Sequence, residues 1–285
     1  MPPPTSPVVA GWELALRLRE RRTELGIDVG TITQRLNVSR NYWSMVENER
    51  KILSEENLAE VVELLEFDEE DRAELFTLRI RAKERGWWTK YPRLFDAEVL
   101  RMLGLEFGAQ EIHDYENLLI PGLLQTENYA RAIMTPAMTV RKVEVEQRVQ
   151  VRMRRQERLH GDSPFKFNAM ISEAALRQQI GGPAVQREQL EHLAMLLETR
   201  RDNISIRVIP FTATSCGLFG APTLHLLDFD NPWLPTLAWH ETVTASSIID
   251  DRTQVHNITE TYHDAAREAL SEDDTVEFIR SCIPA

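Results

Sequence analysis

Two side-chain types read DNA base edges through paired hydrogen bonds, arginine on guanine and asparagine on adenine, and methionine packs on a thymine methyl. Arg40, Asn41, Ser44 and Met45 lie in one short stretch. On a helix over residues 40–47 they share the outward side, with Tyr42 flanking them and Trp43 and Val46 turned inward. Ser39, immediately ahead, is a favourable N-cap. The N–H groups of the helix start suit a phosphate, and Arg50 and Lys51 beyond the helix are placed as phosphate clamps. Ser39, Arg40, Asn41, Tyr42, Ser44, Met45, Arg50 and Lys51 therefore form a candidate set for reading double-stranded DNA.

A reading helix enters a major groove only if a second helix, across a tight turn, holds it. That partner opens at Asp28, a good N-cap, and buries Ile32 and Leu36 at i, i+4, with Asn37-Val38-Ser39 as the turn. Ahead of it, Leu14, Leu18 and Leu25 mark one face of a helix that stops at Gly26. Leu58, Val61, Val62 and Leu65 recur at i, i+3, i+4, i+7 and close the bundle. Asp68 caps a further helix to about Arg85, which Gly86-Trp87-Trp88 breaks. The first 65 residues show no strand pattern.

Charge is distributed unevenly. The net charge of −12 taken alone argues against nucleic acid, because phosphate contacts supply most non-specific affinity. Residues 11–51, however, hold eight basic against six acidic residues, whereas residues 54–75 hold ten acids against Arg72 alone. One face meeting phosphates and another turned away would produce this pattern. With 285 residues, 42% hydrophobic, the chain can bury two cores. Cys216 and Cys282 form no Cys-x-x-Cys, and no run reaches the ~20 apolar residues of a membrane helix. The first residues lack a signal-peptide core, so a cytoplasmic protein that does not meet a membrane is expected.

The expected organisation is a flexible tail over 1–10, an all-α helix-turn-helix domain over 11–66, a helical linker over 67–104 and an α+β domain over 105–285. In the last, residues 166–171, 204–210, 223–229 and 236–241 have strand character, with helices near 123–135, 143–160, 184–200 and 252–270. Residues 141–158 carry seven basic and three acidic residues, while Val145, Val149 and Met153 at i, i+4, i+8 take the apolar side. Arg148, Arg152, Arg154 and Arg155 then read either as a docking strip for a small acidic protein or as a solvated face. Tyr115, Glu116 and Gln125 flank a turn into a helix; they either line a small-molecule pocket or cap and pack that helix. His256 and His263 are separated by about 10 Å of helix rise, too far for one ion, so no metal is expected. No Walker loop, His-Glu-x-x-His or Gly-x-Ser-x-Gly occurs, and no enzyme and no cofactor is expected, a hydrolase in the α+β domain being the catalytic alternative.

The pattern from Leu14 to Leu65 resembles the XRE family of helix-turn-helix regulators. The matching residues are Leu18-Arg19-Glu20-Arg21-Arg22, Gly26-Ile27, Leu36-Asn37-Val38-Ser39, Tyr42-Trp43-Ser44 and Val46-Glu47-Asn48. Members of that family usually carry glycine where this chain has Asn37 and Glu49. The remainder resembles an antitoxin-like C-terminal domain of unknown function found on actinobacterial XRE-type regulators. That resemblance lies in Arg85-Gly86-Trp87-Trp88, Ile120-Pro121-Gly122-Leu123-Leu124-Gln125-Thr126-Glu127-Asn128-Tyr129-Ala130-Arg131 and Arg154-Arg155-Gln156-Glu157-Arg158-Leu159, among others. The two resemblances imply a transcriptional regulator, often encoded beside a small acidic protein. A homodimer is expected because one module with a net charge of about +2 would bind DNA weakly, the C-terminal domain then serving for sensing, dimerisation or partner docking. The alternative is a protein-interaction, antitoxin-like module with a degenerate helix-turn-helix.

Overall fold

The computed structural model describes residues 4–161 and 163–284. They divide into an N-terminal unit over residues 4–90, with which residues 231–234 group, and a C-terminal unit over 91–230 and 235–284. The N-terminal unit is all helical: α1 (Pro7–Glu24), α2 (Val29–Arg35), α3 (Arg40–Glu47), α4 (Glu55–Leu64) and α5 (Glu69–Ala82). Ser6, Asp28, Ser39, Ser54 and Asp68 each cap one of these helices by accepting a hydrogen bond from the N–H three residues on. Each such cap contributes about 1 kcal/mol. Gly26, at φ 65°, stops the chain after α1. Leu14, Leu18, Ile32, Leu36, Trp43 and Val46 meet Leu58, Val61, Val62 and Leu65 in one core, as their spacing predicts.

Two expected boundaries change. Of the tail expected over 1–10, residues 1–3 lie outside the described residues, and helix α1 already begins at Pro7 because Ser6 caps it and proline suits a first helical position. The linker expected over 67–104 is not one element. Helix α5 puts Leu75 and Leu78 into the N-terminal core, and Arg17 of α1 pairs with Asp71 and with Glu74, the latter at 2.8 Å. Past α5, Gly86 lies against the Trp88 indole, where a Cβ would come within 2.2 Å of the ring.

The C-terminal unit runs α6 (Ala97–Gly108), β1 (Glu111–Glu116), α7 (Glu127–Met134), α8 (Val145–His160), β2 (Lys166–Ser172), α9 (Glu173–Arg177), α10 (Pro183–Thr199), β3 (Ile204–Ile209), β4 (Thr223–Asp228), β5 (Leu237–Glu241), β6 (Ser246–Ile249), α11 (Arg252–Ala266) and α12 (Glu272–Ser281). Its six strands form one mixed sheet in the order β3-β2-β1-β4-β5-β6. Strands β3, β2 and β1 are parallel, whereas β4, β5 and β6 form an antiparallel meander added at β1. The fold class is thus an all-α helix-turn-helix unit followed by an α+β unit, as expected. Strands β1 and β6 were not among the expected strands.

Side chains alternate between the two faces of a sheet. On one face Tyr115, Met170, Leu224, Leu226 and Ala238 pack with Val255, Tyr262 and Ala265 of α11. On the other face, Phe167, Ala169, Ile171, Ile204, Ile206 and Val208 of β2 and β3 are buried and apolar. That same face changes character over β1, β4 and β5, where register aligns Asp114 with His225 and His225 with Trp239. Thr223 pairs with Glu241 in the next row and donates to Glu116 at 2.7 Å.

Candidate functional site

Helix α3 presents the surface its sequence predicts. Trp43 and Val46 are buried while Arg40, Asn41 and Ser44 are exposed and Met45 is half-buried. Ser39 accepts from the Tyr42 N–H at 3.1 Å, so its hydroxyl is committed to the cap. Asn41 Nδ2 lies 3.9 Å from Met45 Sδ, which places the two on one strip of the helix. Tyr42 supports rather than reads: its ring carries Lys51 Nζ at 4.4 Å from the ring centre, a cation–π contact that holds the ammonium beside the helix.

The position of Arg50 and Lys51 depends on one unusual residue. Glu49 adopts φ 61°, a left-handed conformation costly for any residue with a Cβ. The turn it makes lets the N–H groups of both Arg50 and Lys51 donate to the Met45 carbonyl, at 2.8 and 3.1 Å. Asn37, at φ 50°, makes the corresponding turn before α3 and does so more cheaply, since asparagine tolerates this region. Replacing Glu49 by Gly is therefore expected to stabilise the N-terminal unit by about 0.5–1.5 kcal/mol and, by removing an acid beside the cations, to tighten DNA binding. Urea unfolding of the full chain checks the first effect; an unchanged or lowered midpoint contradicts it.

The C-terminal unit holds a cavity of about 830 Å³ between α6, α8 and the polar half of the sheet face. Its polar wall comprises Glu116, Arg148, Arg152, Arg155, His225 and Glu241, and its apolar wall includes Met102, Leu103, Ile133, Met134, Val151 and Trp239. Leu118 and Val243 line it while remaining exposed, which marks its mouth. The charges beneath are largely matched. Arg155 Nε and Nη2 reach the two Glu106 oxygens at 2.8 and 2.6 Å, with side-chain exposures of 17% and 6%. His225 Nδ1 is 2.7 Å from Asp114 Oδ2.

These contacts set protonation. Burial disfavours a charged His225, but the Asp114 charge and hydrogen bond outweigh it and raise the imidazole above its ordinary value. Glu116 is pushed up to about 8, first by burial and then by the Asp114 charge, so it is largely protonated at neutral pH. Arg152 falls to about 10 through burial and the neighbouring Arg155 cation, yet stays charged at neutral pH. Arg155 is raised, because Glu106 outweighs its burial.

The family described as a domain of unknown function (DUF5753) matches residues 99–281. The chain belongs to that family. A helix-turn-helix domain matches residues 13–75, which suggests DNA binding. No curated protein and no solved structure matches the chain. The DUF5753 match runs from the third residue of α6 to the last of α12, and takes in every wall of the cavity except Phe95.

Within the DUF5753 domain the arginine strip read from the sequence is not an external dock. Arg152 and Arg155 line the cavity, where Glu106 of α6 and the sheet face supply the polar surroundings an exposed strip would take from water. Arg148 donates to the Leu94 carbonyl, stacks over Phe95 and pairs with Glu144. Arg154 is half-buried and already engaged. Tyr115 is likewise corrected: it points to the α11 side of the sheet, in the core, because it neighbours Glu116 in a strand. Glu116 does line the cavity. Gln125 stands behind it, donating to the Ile120 carbonyl at 2.7 Å and accepting from Arg152 Nη1 at 3.3 Å.

The turn at 120–126 explains itself through these contacts. Gln156 donates to the carbonyls of Gly122 and Gln125, and Gln189 donates to that of Leu124 while accepting from the Thr126 N–H. Gly122 lies close to the Arg152 guanidinium: a Cβ there would fall 2.2 Å from Arg152 Nη1, so a larger residue would displace that side chain. Asp114, His225, Glu106 and Trp239 escaped the sequence reading. The available signal was the period-two spacing of Ile112, Asp114 and Glu116, which puts two acids on one strand face. No helix among the described residues is long and apolar enough to cross a membrane.

Proposed function

We propose that this protein is a cytoplasmic transcriptional regulator of XRE type that recognises operator DNA as a homodimer, with the DUF5753 domain acting as its sensing and dimerisation module and not as an enzyme. The observation that carries the reading is the surface of α3, where exposed Arg40, Asn41 and Ser44 sit between a cap at Ser39 and the cations Arg50 and Lys51. Side chains of these types reach guanine and adenine edges from the N-terminal end of a recognition helix. Dimerisation follows from the small number of cations each copy offers, because a two-fold pair doubles the phosphate contacts. A binding role for the cavity is supported by its lining, where apolar Met102, Leu103, Val151 and Trp239 stand beside a few polar groups that include Arg152.

The test is a salt-dependent mobility shift with DNA from the protein's own promoter region. Two half-sites about 34 Å apart are expected. Asn41→Ala is expected to cost roughly 1–3 kcal/mol at one base pair in each half-site and to relax specificity there alone. Selection from a randomised operator checks this. Equal affinity for all sequences by the unaltered protein would defeat the proposal, and unchanged specificity in the variant would remove Asn41 from the reading set.

A further inference from the structure

The cavity of the DUF5753 domain contains one cation whose charge the surrounding protein leaves poorly matched. Arg155 is held in a fork by Glu106, Arg148 by Glu144 and a main-chain carbonyl, and His225 by Asp114. Arg152, in contrast, makes a single hydrogen bond among the described residues, at 3.3 Å, and to the neutral amide of Gln125. Glu116 and Glu241 act on it only through their fields, and the Glu116 carboxyl already accepts from Thr223. A guanidinium has five N–H donors, so most of those on Arg152 have no protein acceptor. A cavity of about 830 Å³ lies directly in front of them.

We propose that this cavity binds an amphipathic monocarboxylate, its carboxylate gripped by Arg152 and its apolar body lying along Met102, Leu103, Val151 and Trp239. A carboxylate matches a guanidinium edge with two parallel hydrogen bonds. One negative charge is also what the site accepts: Glu241 and Glu106 lie near Arg152, and a phosphate dianion would bring two charges to a single unmatched cation. Because burial and Asp114 keep Glu116 largely protonated at neutral pH, its hydroxyl adds a donor instead of a repelling charge. The volume falls within the range of small-molecule sites, with the apolar walls and few convergent polar groups such sites have. Gly122 contributes by letting the Arg152 side chain lie against the turn at 120–126, with no Cβ to push it aside.

The inference rests on the sensing role proposed above, and its test measures binding to the full chain without DNA, so that a failure of DNA recognition and a failure of ligand binding are seen separately. The probes are straight-chain carboxylates from hexanoate to myristate and 1-naphthoate, below micelle-forming concentrations, with decanol and decyl phosphate as chain-matched controls. Calorimetry is expected to show one site that binds decanoate at least about tenfold more tightly than decanol or decyl phosphate, and thermal unfolding should rise by a few degrees at saturating decanoate. In Arg152→Met the preference for decanoate over decanol is expected to vanish while decanol binding persists. Gly122→Ala, which keeps the arginine but displaces it, is expected to weaken decanoate by a similar factor and serves if the first variant fails to fold. Absence of binding by every carboxylate tested overturns the proposal. So does a decanoate preference that survives in both variants, and tighter binding of decyl phosphate assigns the site to phosphate esters instead.

Discussion

Glu106→Ala is expected to cost the C-terminal domain about 3–5 kcal/mol, because it leaves the Arg155 guanidinium in the cavity wall without its carboxylate. The Glu106 side chain is 6% exposed and grips Arg155 through both oxygens, so little water reaches the pair to replace what is lost. Removing both charges is a different experiment. Glu106→Leu with Arg155→Met leaves no orphaned ion, and buried pairs replaced by apolar groups often lose little. The double variant is therefore expected to be more stable than Glu106→Ala alone, a non-additivity that urea unfolding of the full chain measures directly. If the double variant is the less stable of the two, the pair contributes attraction beyond its desolvation cost.

How far each region could be read from its sequence follows from how closely local rules agree with tertiary ones. In the N-terminal unit they agree: each helix has its cap, and the apolar positions at helical spacing are the ones found in the core. Asn37, Glu49 and Glu66 are the exceptions, non-glycine residues in left-handed turns that glycine would make without strain. In the C-terminal unit the rules conflict. Strand β1 reads Glu-Ile-His-Asp-Tyr-Glu, and its polar residues do not mark the solvent side, since Asp114 is 1% exposed and pairs with His225 of β4. Alternation signals a strand only when one face is dry and the other wet. Here both faces are covered, and a functional cluster occupies one of them. Helix α8 misled for the same reason. Arginines opposite an apolar stripe normally face water, but here α6 and the sheet lie over that side and supply Glu106 as a partner from 49 residues away. Such a partner leaves no trace in local spacing.

Replacing Arg40, Arg50 and Lys51 together by Ala is expected to reduce DNA affinity by at least about a hundredfold, at roughly 1 kcal/mol for each charge-assisted contact, Arg40 to a base edge and Arg50 and Lys51 to phosphates. Few cations are available to DNA. Of the eight basic residues over 11–51, Arg17 is committed to Asp71 and Glu74, Arg22 to Glu47, Arg35 to Glu60 and Glu63, and Arg21 to the carbonyls of Leu65 and Glu66. Arg19 lies on α1, outside the cluster around α3. That leaves Arg40, Arg50 and Lys51 at the recognition helix, all exposed. Two phosphate contacts per copy, from Arg50 and Lys51, predict a slope of log K against log salt of about −2 for one copy and about −4 for a bound pair. The slope therefore reports stoichiometry as well as mechanism, and the triple variant should retain only a shallow remnant of it. A steep slope that survives the triple substitution would place the phosphate contacts elsewhere and remove α3 from the interface.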